Sequence, residues 1–312
     1  MALTLIEAAK LHSGEVIRSA MIEIFAMSND LLANMPFDDI QGNAMSYRRE
    51  DTLPGVAFRG LNEAYTESVG VINPLTESLV IAGGDLDVDK FIIDTMGTDQ
   101  RSSQEAMKAK KLSHTIGDKM IKGDSTTDAR EFDGLQARLV GSQIVEADAS
   151  ATDGGDPLSL SIGLDTGIDA TDDPNFLYMS KSMRRKLTTA ARATAVGGYI
   201  TYTQDAFGRS VTQYNDLPIL IADRNGDVFS TLAFDELAST GATASATSIY
   251  CLSLREGMLQ GIQNGVMDVR DLGELESKSV FRTRIEWYVG MVLYHPRAAT
   301  RIRGISDAAV VV

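Results

Sequence analysis

The stretch FRTRIEWYVGMVL, residues 281–293, alternates between two kinds of side chain over its whole length. Its odd positions carry Phe, Thr, Ile, Trp, Val, Met and Leu, while its even positions begin with two arginines and a glutamate. Alternation with a period of two predicts a β-strand with one apolar face. Strands usually run to about five or six residues, so this one is long. Its apolar face needs an equally long element to cover it.

Residues 98–122 supply such an element. Apolar side chains recur there at three- and four-residue steps, which predicts a helix: Ala106, Ala109, Leu112, Ile116 and Met120. Ser102 and Glu105 have the spacing of a capping box, so the helix is expected to start at Thr98 or Ser102. Twenty-five helical residues would extend roughly 37 Å. We therefore expect the helix to cover the strand, with residues 147–250 inserted between them as a compact α/β unit.

Two further features of this helix are a glycine in its interior and a basic polar side. Gly117 lies inside it, at an expected cost of about 1 kcal/mol relative to alanine. Its polar side is basic, and a solvated face or a weak attraction to polyanions or acidic neighbours would both explain the lysines Lys108, Lys110, Lys111, Lys119 and Lys122.

The acidic segment ADASATDGGD, residues 147–156, marks the boundary of the inserted unit. Beyond it the patterns predict, in order, a helix over 157–168, a strand over 175–179 and a helix from Ser180 to about Thr194. A bent strand pair over 211–223 follows, and then a tight turn at Asn225-Gly226. In the helix capped by Ser180, the inward positions are Met183, Leu187 and Ala190, and the outward ones Arg184, Arg185, Lys186 and Arg192.

The N-terminal region predicts a further helix over 15–34, which Pro36 ends. Its apolar stripe indicates core packing or packing on a neighbouring subunit: Ile17, Met21, Ile24, Met27 and Leu31.

Residues 77–81 predict a strand, and GGDLDVDKF follows it. In this second segment Asp85, Asp87 and Asp89 alternate with apolar residues and share one face of a strand. Three acids on one strand face can hold a divalent cation, but no glutamate follows at the spacing of a calcium-binding loop. A solvated strand face is the favoured interpretation, and no metal is predicted.

Composition excludes several classes of protein. The 312 residues are 44% hydrophobic and 23% charged, as in ordinary globular proteins, and contain no apolar run of about 18 residues that would span a membrane. The N-terminus lacks a basic segment ahead of an apolar core, so no secretory signal is expected. Cys251 lies in an apolar strand-like run and is expected to be buried. A net charge of −14 disfavours strong adhesion to nucleic acid.

Catalytic motifs are missing from the sequence. His12, His114 and His295 are scattered without metal-ligand spacing. Neither a nucleophile elbow nor a glycine-rich phosphate loop occurs, and nothing singles out one acid pair among 43 acidic residues. We predict that the chain is not an enzyme and has no cofactor; a soluble enzyme with an unrecognised acid pair is the alternative from another class.

The segment YRREDTLPGVAFRGLNEAYTES, residues 47–68, has no obvious place in a monomer. Charges surround four large apolar residues, and Pro54-Gly55 predicts a turn between them. A surface hairpin in a monomer would leave those four residues uncovered, so we expect them to find cover on another chain.

In their order along nearly the whole chain, these segments resemble the major capsid proteins of tailed bacteriophages with the Hong Kong 97-type fold. SSQEAMKAKKLSHTIGDKMIKGD is similar to the long spine helix of that family, and NFLYMSKSMRRKL is similar to the strand and helix of its axial domain. The resemblance implies an α+β fold divided into an N-terminal arm (1–36), an extended hairpin called the E-loop (37–90), a first peripheral part with the spine helix (91–146), an axial domain (147–255) and a second peripheral part with long strands (256–312).

The resemblance also implies a role for the segment 47–68. In this family the E-loop reaches over an adjacent subunit, with apolar residues finding cover there and charged residues meeting opposite charges. The implied intersubunit contacts are Arg48, Arg49, Glu50, Leu53, Val56, Phe58, Arg59, Leu61 and Glu63.

The function implied is a virion shell assembled in the cytoplasm of a bacterial host. Hexamers and pentamers of the chain would close into an icosahedral container for double-stranded DNA, without sequence-specific binding and without a membrane. Some members join subunits through an E-loop lysine and an asparagine, but no lysine occurs here between Lys10 and Lys90, so we expect a noncovalent shell. Scaffolding, portal and decoration proteins would be separate chains; because the arm begins almost at Met1, scaffolding is expected to be separate or already removed. The alternative is an encapsulin-type shell that holds cargo enzymes.

Overall fold

Two β-sheets and a two-stranded hairpin form the β-structure of the chain. The computed structural model describes residues 29–96, 99–192, 200–204, 210–222 and 231–311. The strands, in chain order, are β1 (Phe37–Asp39), β2 (Ala44–Thr52), β3 (Val71–Ser78), β4 (Val80–Asp89), β5 (Ile144–Glu146), β6 (Phe176–Met179), β7 (Ile200–Gln204), β8 (Ser210–Tyr214), β9 (Leu217–Ile221), β10 (Glu236–Leu237), β11 (Ala244–Leu252), β12 (Leu259–Gln263), β13 (Asp268–Glu274), β14 (Val280–Leu293) and β15 (Ala299–Ile305). The α-helices are α1 (Asp30–Asn34), α2 (Lys90–Met96), α3 (Asp99–Lys122), α4 (Leu135–Arg138), α5 (Thr166–Ala170) and α6 (Lys181–Ala191).

The first sheet is built around β14. Along one edge β14 pairs antiparallel with β4, from Val280 opposite Asp89 to Val289 opposite Val80. Along the other edge it pairs with β13 and then with β12, and β1 joins β12 in parallel. The predicted long strand over 281–293 is confirmed, with one further residue at its start.

Helix α3 covers the apolar face of β14. Its buried residues Ala109, Ile116 and Met120 share one core with Ile285 and Trp287 of the strand. At the start of the helix Arg101 Nη2 donates to the Thr283 hydroxyl at 2.8 Å, and that hydroxyl donates to Glu105 Oε1 at 2.7 Å. The predicted helix and its pairing with the strand are therefore confirmed, with the C-terminal end at Lys122 as expected.

The second sheet has the order β5-β15-β11-β6-β9-β8-β7, with β10 beside β11. Alternate residues of its central strands enter different cores: Tyr178 and Tyr250 join the first core, whereas Leu177, Met179 and Cys251 join a second one. Both faces of this sheet are therefore covered. The second core is closed by Leu160, Leu164, Met183 and Leu187 from the helical segments that lie over the sheet.

The inserted unit follows the predictions in part. The strand after Asn175 and the helix capped by Ser180 are confirmed, and the Ser180 hydroxyl accepts from the Met183 amide. The helix predicted over 157–168 is a π-helical turn over Leu160–Asp165 that continues as α5, so its extent was wrong.

The strand pair predicted over 211–223 is confirmed as β8 and β9, whereas the strand predicted over 77–81 is corrected. The hairpin β8–β9 turns at Asn215-Asp216, both with positive φ (48° and 64°), as a two-residue hairpin loop requires. Asn225-Gly226 lies outside the described residues. The single strand predicted over 77–81 is instead the end of β3 and the start of β4, separated by Leu79.

Residues 15–28 of the predicted N-terminal helix (15–34) lie outside the described residues. Its last part is α1, capped by the Asn29 side chain, whose Oδ1 accepts from the Leu31 amide at 2.9 Å. Leu31 and Leu32 are fully buried, and Pro36 follows the helix end as expected. The expected burial of Cys251 is confirmed, and this burial raises the pKa of its thiol.

Candidate intersubunit surface

The hairpin β2–β3 is held firmly at its root. The Tyr47 hydroxyl donates to the Leu293 carbonyl at 3.1 Å, and its ring lies 5.2 Å from that of Tyr294 in an edge-on arrangement. Arg138 forms a bidentate ion pair with Glu77, with Nη2 to Oε2 at 2.7 Å, and both side chains are mostly buried. The hairpin is therefore tied to the end of β14 and to α4.

Residues 53–70, which we call the loop tip, join β2 to β3 without helix or strand. The chain reverses at Leu61-Asn62, where Asn62 has a φ of 68°. The turn predicted at Pro54-Gly55 is wrong, because the chain there continues without a turn. The reversal is supported by Glu63, whose Oε2 accepts from the Gly60 amide at 2.8 Å.

The apolar residues of the loop tip are not covered by their own chain. Val56, Phe58 and Leu61 are at least 95% exposed, and Leu53 is 75% exposed. Tyr65 and Val69 of the same segment are also exposed. Several large apolar residues exposed on one short segment are typical of a protein–protein contact site.

The five charged residues predicted in this contact fall into two groups. Arg48, Arg49 and Glu50 lie on β2 and form no ion pair with other described residues. Arg59 and Glu63 are brought together in the loop tip: Arg59 Nη1 donates to the Glu63 carbonyl at 3.1 Å, and its guanidinium lies 5.2 Å from the Tyr65 ring.

A groove of about 310 Å³ lies between α3 and the start of β4. Its apolar wall comes from Ile81, Leu112, Ile116 and Phe132, and its rim is mainly basic, with Lys108, Lys111, Lys119 and Arg130. Two acids also line it, of which Glu131 pairs with Lys119 at 2.7 Å. Sequence reasoning missed this site; the only signal was the lysine run on α3, which does not reveal that β4 lies alongside.

The aspartates of β4 are each engaged within the chain. Asp85 accepts from Arg284 Nε and Nη2 at 2.7 and 3.0 Å, and Asp87 accepts from Arg282 Nε and Nη2 at 2.6 and 2.7 Å. Hydrogen bonds from these guanidiniums lower the pKa of both carboxyls. Asp89 Oδ1 accepts from the Phe91 amide at the start of α2.

The face of β4 that carries the aspartates is exposed, as expected, but arginines from β14 neutralise the charges of Asp85 and Asp87. Within the described ranges, no cluster of three or more His, Cys, Asp or Glu has a metal-binding arrangement.

The histidines of the described chain do not form a common site. His114 is half-buried on α3, where burial and the nearby Lys110 and Lys111 lower its pKa. His295 Nδ1 accepts from the Arg297 amide and caps a short 3₁₀ turn. His12 lies outside the described residues. Among the helices that the structure describes, none is long and apolar enough to cross a membrane.

Comparison with known proteins adds a family and a fold. The family model of the major capsid protein GP7 matches residues 13–157. No curated protein matches the sequence.

Solved structures match along most of the chain. The holo-SrpI encapsulin complex from Synechococcus elongatus is 14% identical, with a TM-score of 0.63, covering 88% of this chain and 87% of its own. A structure from Mycobacterium phage Adephagia is 11% identical, with a TM-score of 0.62 and 90% of each chain covered. The capsid of an empty GTA particle is 13% identical, with a TM-score of 0.58, covering 89% of this chain and 90% of its own.

At these identities the structural likeness concerns the fold. The expected α+β architecture is confirmed, and the family model supports the same resemblance over the first half of the chain. The chain therefore has the Hong Kong 97-type fold and is similar to the major capsid proteins of tailed bacteriophages.

Proposed function

We propose that this chain is the major capsid protein of a phage-like shell, in which copies of the chain close around double-stranded DNA. The observation that carries the proposal is the loop tip, which a firmly rooted hairpin presents with its apolar residues exposed. In the proposed division of the chain, the E-loop (37–90) comprises the hairpin β2–β3 with the loop tip and the flanking strands β1 and β4, which join the first sheet. The other strands of that sheet and α3 belong to the peripheral parts, and the second sheet is centred on the axial domain.

The physical argument concerns what covers the loop tip. Leaving Phe58, Leu61 and Val56 in water forgoes roughly 1.5–3 kcal/mol for each side chain, relative to burying it fully. A second copy provides that burial when the subunits assemble. The charged residues Arg48, Arg49 and Glu50 at the edge of the contact would set register and partner choice.

The groove between α3 and β4 has the chemistry to receive the loop tip of another copy. Its apolar wall suits an aromatic or aliphatic side chain such as Phe58 or Leu61. Its basic rim complements the exposed acids Glu63 and Glu67 that flank the turn of the loop tip. We therefore place the loop tip of one copy in the groove of its neighbour.

We propose that the shell is held together noncovalently. No lysine lies between Lys10 and Lys90, so the hairpin β2–β3 and the loop tip have no amine for an isopeptide bond, and Cys251 is fully buried. Stable protein contacts of this kind usually bury about 1,600 Å² per interface. The proposed role is structural and not catalytic, with the chain located in the virion after assembly in the host cytoplasm.

A shell that encloses cargo enzymes is the second candidate. The likeness to the SrpI encapsulin complex supports it, because this fold also occurs in that shell. The content of purified particles separates the two candidates: nuclease-protected DNA supports the capsid, and a co-purifying enzyme supports the encapsulin.

An engineered disulfide tests the placement of the loop tip. The variant carries Leu61→Cys with Thr115→Cys, because Thr115 is exposed and lines the groove. The native Cys251 does not interfere, since it is fully buried. Oxidation of purified particles should give a ladder of linked chains on a nonreducing gel. The matched control, Leu61→Cys with Asp172→Cys, should give no ladder.

Shortening the hairpin tests the function itself. Thr52 and Val71 are paired neighbours, so an Asn-Gly turn can replace residues 53–70. The subunit should keep its thermal midpoint, because the replaced apolar residues are exposed, but it should form no particles in electron micrographs. Normal particles from this variant, or a wild-type chain that stays monomeric, would contradict the proposed function.

A further inference from the structure

Helix α6 and its C-cap residue carry a basic face, formed by Arg184, Arg185 and Arg192, that is separate from the loop tip and from the groove beside α3. Arg184, Arg185 and Arg192 form no ion pair with other described residues, and Arg185 and Arg192 are exposed. Lys186 forms an ion pair with Asp307, and Lys181 also has an interaction within the chain. The helix contains no acidic residue.

Most arginines of the described residues outside α6 are ion-paired, although Arg48 and Arg49 of β2 are not. Eight of them hold carboxylates within the chain: Arg101, Arg138, Arg255, Arg270, Arg282, Arg284, Arg301 and Arg303. In a chain with a net charge of −14, carboxylates for the α6 arginines are plentiful. Because the α6 arginines form no ion pair within the described residues and two of them are exposed, we take their charge to be available to a partner.

The position of the cations along α6 does not stabilise the helix. Lys181, Arg184 and Arg185 occupy the N-terminal half of α6, where the helix dipole presents its positive end. Cations there oppose the dipole, whereas acidic residues would complement it. Local rules of this kind are broken mostly where a residue serves a function, which supports a binding role for this face.

The surface beside the basic face favours a protein partner. A depression of about 240 Å³ lies between α6 and the C-terminal segment, lined by Arg185, Lys186, Thr189, Ala190, Ala309 and Val310. The C-terminal segment is held in place by backbone hydrogen bonds between Val311 and both Leu158 and Leu160, each at 2.9 Å. Small apolar walls beside guanidiniums suit an acidic peptide segment with an apolar side chain better than they suit a phosphate backbone.

We propose that the basic face of α6 docks on an acidic surface of a second copy of this chain, at a contact separate from the loop tip. The identity of the partner rests on the proposed function. Copies that each carry −14 repel one another, so closure requires local patches of opposite charge. In a closed ring each contact joins two different surfaces of the subunit, which allows a basic face to meet an acidic one.

Charge reversal on α6 tests the proposal. The variant carries Arg184→Glu with Arg185→Glu, and the control carries Lys110→Glu with Lys278→Glu, two exposed lysines away from α6. Both variants change the net charge equally. The α6 variant should keep or raise the thermal midpoint of the subunit, because glutamates suit that end of the helix. It should need at least about tenfold more protein to assemble, equivalent to about 1.4 kcal/mol, whereas the control should assemble within about threefold of wild type.

A conservative variant, Arg184→Lys with Arg185→Lys, should assemble like the wild type. Equal loss of assembly in the α6 variant and the control would overturn the proposal, as would normal assembly of the α6 variant. If the wild-type subunit binds duplex DNA, and the α6 variant loses this binding but assembles normally, the partner of the basic face is a nucleic acid and not a second copy. If the wild-type chain itself forms no particles, the result contradicts the proposed function and not the role of α6 alone.

Discussion

Gly117 shows at the scale of single residues what a sequence pattern leaves out. Inside α3 a glycine is expected to cost about 1 kcal/mol relative to alanine. The structure gives the reason for its presence, because a Cβ at position 117 would lie 1.7 Å from Asn29 Nδ2. Asn29 is almost fully buried and caps α1. The glycine therefore lets the N-terminal helix approach α3.

Gly117→Ala is expected to destabilise the subunit in spite of the better helix propensity of alanine. The added methyl group must displace the buried Asn29 side chain, and overpacking of this kind typically costs about 1–3 kcal/mol. Urea denaturation of the wild-type subunit and the variant measures the change.

The control for this prediction is the Asn29→Ala background. There the methyl group meets no side chain, so Gly117→Ala should be neutral or stabilise by up to about 1 kcal/mol. An equal loss of stability in both backgrounds would show that contact with Asn29 is not the cause.

At the scale of elements, alternation along β4 and β14 predicted both strands but not their register. The aspartates of one strand and the arginines of the other are visible in the sequence as separate patterns. Only the pairing of Arg282 with Asp87 and of Arg284 with Asp85 turns them into bidentate ion pairs. A shift of one residue would put the two charged sets on opposite faces of the sheet.

These ion pairs predict a dependence of stability on pH. Arg284 and Arg282 lower the pKa of Asp85 and Asp87 below the ordinary value of 3.8, so the unfolded chain binds protons more readily than the folded one. Their contribution is present above pH 3.8 and is lost as the pH falls through the lower, folded values.

Asp85→Asn with Asp87→Asn should therefore reduce the loss of subunit stability between pH 5 and pH 2, as measured by urea denaturation at both ends of this range. Asp169→Asn with Asp172→Asn removes two exposed carboxyls that have no ion pair among the described residues, and should leave the pH dependence nearly unchanged. Equal pH profiles for the β4 variant and the wild type would contradict the assignment.

At the scale of the whole molecule, the two sheets share one core along α3 and β14, while the loop tip and the basic face of α6 point to partners outside the chain. We expect such a molecule to be complete only in an assembly. We expect its cohesion to depend on noncovalent contacts, since the hairpin β2–β3 and the loop tip contain no lysine and Cys251 is fully buried.

Assembled particles boiled in SDS without reductant should therefore give one band near 33.7 kDa. The physical reason is that detergent separates subunits that are held together noncovalently, as we propose for this shell. Bands at multiples of this mass would contradict the noncovalent shell, and mass spectrometry of such bands would identify the linked residues.

The sequence by itself determined those features that depend on local periodicity. It predicted the strand over 281–293, the helix over 98–122 and the helix capped by Ser180, because side chains repeat at the spacing of each element. The uncovered apolar residues of the loop tip were predicted from the charges that surround them. The tertiary structure alone decided which distant segments meet: the arginines of β14 with the aspartates of β4, Gly117 with Asn29, and the walls of the groove between α3 and β4. These contacts depend on strand register and on the packing of helices, which are set by the fit of the whole core and leave no periodic trace in any one segment.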